Sequence, residues 1–135
     1  MQHFPINWLA LLVAAVAKFL FGWLWYSPFL FGKSWMALTN CTLEEMKRRM
    51  PVLAPTDLIC NFVMAFVLVH AVYYAGAVEA RQGAAVGFFN WLGFVATVML
   101  TGTLYEKRPT KLFWINSGFQ LISLLIMGAI VGVWM

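Results

Sequence analysis

The amino-acid sequence predicts an all-α membrane protein, with four transmembrane helices in a compact bundle that forms a single domain. Three observations lead to this fold class. The chain of 135 residues is 63% hydrophobic and 10% charged, whereas an average globular domain is about 45–50% apolar and about 25% charged. Four apolar runs reach the length of about 20 residues that a bilayer core requires. Lysine and arginine are concentrated in two of the three connections between these runs.

The apolar runs give approximate bounds for the four spans. We expect them over residues 6–27, 57–77, 84–105 and 112–135. Pro51, Pro55 and Pro109 are expected in the connections, because proline lacks the N–H group that a helix interior needs.

The distribution of basic residues predicts the orientation of the chain. The second connection holds Arg81 alone, whereas the first and third together hold Lys33, Lys47, Arg48, Arg49, Lys107, Arg108 and Lys111. Cytoplasmic loops collect lysine and arginine. The first and third connections are therefore predicted to be cytoplasmic, and both termini are predicted to lie on the periplasmic side.

The stretch "GWLWYSPFLFGKSW" is predicted to be the cytoplasmic exit of the first helix. The residue before a proline avoids the helical region, so Pro28 is expected to end the span. Aromatic residues are typical of the headgroup level of a membrane. The predicted interface anchors are Trp25, Tyr26, Pro28, Lys33 and Trp35.

A short helix on the cytoplasmic surface is predicted for "TLEEMKRRM", between the first and second spans. Thr42 and Glu45 have the spacing of a capping box. Leu43, Met46 and Met50 fall on one side of such a helix, a pattern typical of a helix lying on the membrane surface. A helix that docks a partner remains an alternative.

Several stretches resemble a bacterial family known as domain of unknown function 1761. They include "NWLGFVAT" and "EKRPTKLFWINSGFQLISLLIMGAI", and, near the start, Asn7-Trp8-Leu9, Leu24-Trp25-Tyr26-Ser27-Pro28, Leu30-Phe31-Gly32-Lys33 and Trp35. The resemblance implies a small integral protein of the bacterial inner membrane. The family has no established activity, so the resemblance implies no catalytic or binding residues.

Ionisable groups inside a span are costly and are functional candidates. Lys18 lies eleven residues after Asn7, which places it roughly 17 Å along the helix and near the midplane. We expect it to face the bundle. It serves either transport or ligand binding, or it is a structural residue that snorkels or donates hydrogen bonds to threonines and amides. The candidate midplane cluster is Lys18, His70, Asn90, Thr97, Gln120 and Ser123.

The second span leaves one alternative open. Asn61 and His70 are nine residues apart, which is about 180° around a helix, so they point in opposite directions. One of them is expected to join the interior cluster, and the other to face lipid or a second subunit.

Three functions compete. The first is a non-enzymatic membrane protein that self-associates or serves as an accessory subunit, which Gly128 and Gly132 favour because their spacing is typical of close helix packing. The second is a small transporter or channel that uses Lys18. The third, an enzyme acting on a lipid or quinone, ranks last because no catalytic set is present in the sequence.

No metal-ligand spacing is present in the sequence, so no metal or cofactor is expected. The net charge of +4 comes mainly from residues clustered in two loops, so nucleic acid is not an expected partner. The expected partners are membrane lipids and either a second copy of the chain or another subunit of a membrane complex.

The predicted topology can be tested with reporter fusions to Met135. A phosphatase that is active only in the periplasm should be active there, and a fluorescent protein that matures only in the cytoplasm should stay dark. A fluorescent fusion with an inactive phosphatase would contradict the predicted orientation.

Overall fold

The computed structural model describes residues 6–134, which are helical apart from short turns. The elements are α1 (Trp8–Trp25), α2 (Gly32–Thr39), α3 (Leu43–Tyr74), α4 (Ala80–Asn90), a π-helical segment (Trp91–Ala96), α5 (Thr97–Tyr105) and α6 (Thr110–Trp134). Four helices are long and apolar enough to cross a membrane, because α4, the π segment and α5 run on as one helix over Ala80–Tyr105. The predicted fold class is confirmed: four long helices pack together, with a short helix between the first and the second.

Helix α1 begins and ends where its sequence directs. The Asn7 side chain accepts a hydrogen bond from the backbone N–H of Ala10 at 3.2 Å, which satisfies one of the donors left over at a helix start. The helix ends at Trp25, three residues before Pro28. A tight turn follows, in which the N–H groups of Leu30 and Gly32 both donate to the carbonyl of Ser27.

The short helix between the first two spans consists of residues other than those predicted. It is α2, Gly32–Thr39, which ends at Asn40 in the left-handed conformation with φ of 55°. The segment predicted as a separate surface helix is instead the start of α3. Thr42 caps α3 as predicted, since its hydroxyl accepts from the N–H of Glu45 at 3.2 Å.

Pro51 and Pro55 lie inside α3, so their predicted place in a connection is wrong. An interior proline removes one hydrogen bond of the helix. Both prolines are exposed and lie four residues apart on one side of the helix. The carbonyl groups they leave without a helical partner are therefore also on the outside of the bundle. Pro109 does lie in a connection, directly before α6.

The core is organised around α6, whose span is the most buried of the four at 44%. Helix α4 lies so close to α6 that a Cβ atom on Gly83 would collide with the backbone carbonyl of Gly128. A Cβ atom on Gly87 would likewise collide with the carbonyl of Leu124. Small residues let helix backbones approach closely in membranes. The fully buried apolar side chains are Ala10, Ala14, Ala15, Ala65, Val69, Val72, Met127 and Val131.

The contact between α4 and α6 predicts opposite effects for two glycine substitutions. Gly83→Ala should lower the free energy of unfolding by about 1–3 kcal/mol, because the backbone carbonyl of Gly128 cannot rotate away from the added methyl group. Gly102→Ala is the matched control, since a Cβ atom there meets nothing within 4 Å. It should raise stability by about 0.5–1 kcal/mol through helix propensity.

Reversible unfolding in mixed detergent micelles measures both glycine variants. Equal effects of Gly83→Ala and Gly102→Ala would contradict the close contact.

Candidate functional site

Lys18 lies on the side of α1 that faces the bundle. Its side chain is 3% exposed, and the preceding turn presents Ala14 and Ala15, which are fully buried. These small residues allow α1 to approach its neighbours closely. The prediction that Lys18 points into the bundle therefore agrees with its position in the structure.

The hydrogen-bond partner of Lys18 is Asn61 on α3. The Lys18 Nζ atom donates to Asn61 Oδ1 at 2.8 Å, and Asn61 is 1% exposed. The same Nζ atom lies 4.9 Å from the centroid of the Phe119 ring on α6. A cation at this distance from an aromatic face is attracted by the ring. The polar centre formed by Lys18, Asn61 and Phe119 therefore joins α1, α3 and α6.

The question left open for the second span has a clear structural answer. Asn61 is the interior residue, and His70 is half-buried on another part of α3. His70 Nδ1 lies 2.7 Å from the carbonyl oxygen of Phe66, and its ring contacts those of Phe66 and Tyr74. The structure therefore places His70 in a local aromatic group on its own helix.

Two other candidates bond to their own helix. Asn90 Nδ2 donates to the carbonyl of Val86, and Thr97 Oγ1 donates to the carbonyl of Gly93, each at 2.8 Å. Thr97 is exposed, whereas Asn90 is half-buried. The predicted midplane cluster placed Asn90 and Thr97 together as if the helix were regular, but the intervening π segment shifts the helical phase of the residues that follow it.

Helix α6 carries three polar side chains with buried oxygen atoms near the level of Phe119. Ser117 and Ser123 are 1% and 0% exposed, and Gln120 is half-buried. The Ser117 Oγ, Gln120 Oε1 and Ser123 Oγ atoms have no protein hydrogen-bond partner, and neither does Asn61 Nδ2. Four buried polar atoms are therefore left without protein partners in the described part of the bundle.

The turn after α1 is packed against α6. Trp25 Nε1 donates to the carbonyl of Ile115 at 3.1 Å, and the Tyr26 hydroxyl donates to Asn116 Oδ1 at 2.7 Å. A Cβ atom on Gly32 would collide with the carbonyl of Tyr26. Two of the predicted interface anchors thus also have specific partners in the protein.

The remaining predicted anchors differ in exposure. Trp35 is half-buried, and its ring centroid lies 5.9 Å from that of Tyr26. Pro28 and Lys33 are exposed.

Comparison with protein families gives one match, over residues 9–132, to the family described as a protein of unknown function, DUF1761. The chain belongs to this family. The match covers Lys18, Asn61 and Phe119, so the polar centre lies within the DUF1761 region. No curated protein and no solved structure matches the chain.

Few charged groups lie near the polar centre of this DUF1761 protein. Within residues 6–134, the ion pair that falls inside 4.0 Å joins Arg108 to Glu106 at 2.7 Å, so Lys18 has no carboxylate in direct contact. The same part of the chain holds no group of three or more His, Cys, Asp or Glu residues that could bind a metal. The polar centre offers one cation with neutral donors and acceptors.

The Lys18–Asn61 pair predicts an unequal response to removal of each partner. Asn61→Leu should lower the free energy of unfolding by about 1.5–3 kcal/mol, because it leaves a buried ammonium without its hydrogen-bond acceptor. Lys18→Met should cost less, or should stabilise the bundle, because it removes the charge and leaves only a neutral amide without a partner.

A double-mutant cycle tests this pair with the same unfolding measurement. The Lys18→Met/Asn61→Leu variant should be about as stable as Lys18→Met alone, since the cost of Asn61→Leu requires the charge. A larger loss for Lys18→Met than for Asn61→Leu would contradict the pairing.

Proposed function

We propose that this protein is a non-enzymatic, multi-pass protein of the bacterial inner membrane that functions as a self-associating subunit, with both termini in the periplasm. The membrane location is supported by the four apolar helices, and the orientation by the basic residues of the first and third connections. Self-association is supported by the third long helix.

The observation that carries the proposal is the exposure of the third long helix. Only 11% of the residues in its most apolar stretch are buried, against 44% in that of α6. The π segment and α5 have no buried residue at all. One side of Trp91–Tyr105, which includes Trp91, Val95 and Met99, is half-buried, whereas its other sides are exposed.

The exposed part of this helix has a surface suited to another helix. Gly93, Thr97 and Thr101 recur every four residues, and all three are exposed. Both threonine hydroxyls already donate to carbonyls of their own helix, at 2.8 Å and 3.0 Å. A Cβ atom on Gly93 meets nothing within 4 Å. The result is a narrow, smooth strip, which is typical of close contacts between membrane helices.

A second copy of the chain is the occupant we propose for this strip, which we call the Gly93–Thr101 strip. A two-fold axis brings the same strip of two copies together, so that each contact is made twice, and symmetric dimers are the commonest oligomers. The chain already uses small residues in this way internally, where Gly83 and Gly87 contact α6. A different subunit at the same strip is the accessory alternative.

Transport through the bundle is the second candidate, and it is favoured by Lys18. Its charged group lies at the junction of three helices, next to buried atoms that have no protein partner. The enclosed position of Lys18 agrees better with binding than with passage, so transport ranks below self-association.

Disulfide cross-linking tests the proposed dimer. In a background with Cys41→Ser and Cys60→Ala, Thr97→Cys should form a disulfide-linked dimer in native membranes, because the two strips would face each other across the axis. Leu20→Cys is the matched control, since Leu20 is 62% exposed on α1, outside the strip. It should remain monomeric under the same oxidation.

The mass of the product separates the outcomes. Equal cross-linking of Thr97→Cys and Leu20→Cys would indicate random collision, and no product from Thr97→Cys would remove support for a dimer at this strip. A product of different mass would favour a foreign subunit.

A further inference from the structure

We propose that Lys18 and Asn61 form a binding site for a small monovalent anion, such as chloride, inside the helix bundle. The site is separate from the Gly93–Thr101 strip and does not depend on self-association. Its ligand class follows from the hydrogen-bonding capacity and the charge that the two side chains leave unused.

Most of the hydrogen-bonding capacity that Lys18 and Asn61 leave unused consists of donors. A lysine ammonium has three N–H donors and no acceptor, and Asn61 Oδ1 takes one of them. The Asn61 amide has two more donors on Nδ2, which is buried and has no protein partner. A ligand that completes this site must therefore accept hydrogen bonds from both side chains.

The charge of the site favours an anion over a neutral acceptor. Lys18 is 3% exposed, and its nearest polar contact is a neutral amide. A buried cation is strongly disfavoured unless it is paired. The Phe119 ring attracts the ammonium group, but it does not neutralise the charge. A small anion would both neutralise Lys18 and accept the free N–H groups of Lys18 and Asn61.

The surroundings limit the ligand to a small one. On α1, Lys18 is flanked one turn earlier by Ala14 and one turn later by Gly22, and the Phe119 ring packs against Gly22, with its Cζ atom 3.3 Å from where a Cβ atom would lie. On α6, Ser123 lies one turn after Phe119 and has a buried hydroxyl with no protein partner. This hydroxyl is a further donor close to the level of the cation.

Asp57 is the charged group that competes with the proposed anion. It lies one turn before Asn61 on the same side of α3, is exposed, and forms no ion pair with Lys18. Its carboxylate should repel an anion bound at Lys18. If a bound anion balances the charge of Lys18, removing the Asp57 charge should strengthen anion binding. If Asp57 balances it, removing the Asp57 charge should destabilise the protein.

The test measures thermal unfolding of the full chain in detergent, while sodium gluconate is replaced by sodium chloride or bromide at constant ionic strength. The wild type should show a saturable rise in its unfolding temperature, because a ligand that binds only the folded state stabilises that state. Lys18→Met should fold, with an unfolding temperature that no longer responds to halide.

Two further variants change the charge without removing Lys18. Asp57→Asn should lower the half-saturating bromide concentration about 3- to 10-fold, since it removes a repulsive charge that salt only partly screens. Asn61→Asp has nearly the same shape as the native residue and places a carboxylate against Lys18. It should abolish the response to halide while keeping the protein folded.

Direct localisation completes the test. Crystals grown in bromide should give an anomalous peak within contact distance of Lys18 Nζ and Asn61 Nδ2. An unfolding temperature independent of halide in the wild type, or a response that survives in Lys18→Met, would overturn the proposal. So would an Asp57→Asn variant that is destabilised without tighter halide binding, since Asp57 would then be the counter-charge and water would be the remaining acceptor.

Discussion

The backbone contact between α4 and α6 sets the arrangement of the other helices. Gly83 and Gly87 bring α4 against Gly128 and Leu124 so closely that side chains are excluded between them. Helix association in a membrane depends on van der Waals packing and hydrogen bonds rather than on the hydrophobic effect. With α4 in place on one side, the rest of α6 is available to α1 and α3. The Phe119 ring, which Lys18 contacts, belongs to that remaining surface.

The same contact explains why the third long helix is less buried in its second half than in its first. Its first half is fixed to α6 by glycines, whereas the π segment and α5 bury no residue. Trp91 marks the boundary, and its indole N–H donates to the carbonyl of Ser117 at 2.9 Å. Beyond this bond Val95 still packs against the core, but no residue of the π segment or α5 is fully buried, so the outer side of the helix is left to lipid or another chain.

The sequence predicted the four spans and the inward direction of Lys18, because apolar run length and the cost of a buried charge are local properties. It failed where the outcome depended on tertiary position. Pro51 and Pro55 are tolerated within α3 because that part of the helix is exposed, which hydropathy alone does not reveal. The π segment carries no composition signal, yet it shifts the helical phase of Thr97 relative to Asn90. Asn61 was recognised as one of two options, and only the packing of α3 selected it.

Magnitudes support the proposal that Lys18 is more than a packing residue. Placing a lysine at the centre of a span costs roughly 2.5–3.5 kcal/mol. A polar hydrogen bond between membrane helices contributes about 0.6 kcal/mol on average, and a desolvated cation–π contact about 2 kcal/mol. The contacts of Lys18 with Asn61 and Phe119 therefore roughly offset the cost of inserting the lysine and add no net stability. A methionine would fill the same space without that cost, so a structural role alone gives Lys18 no advantage. A bound anion would supply the missing stabilisation, because it compensates the charge and accepts the hydrogen bonds that the protein leaves unmade.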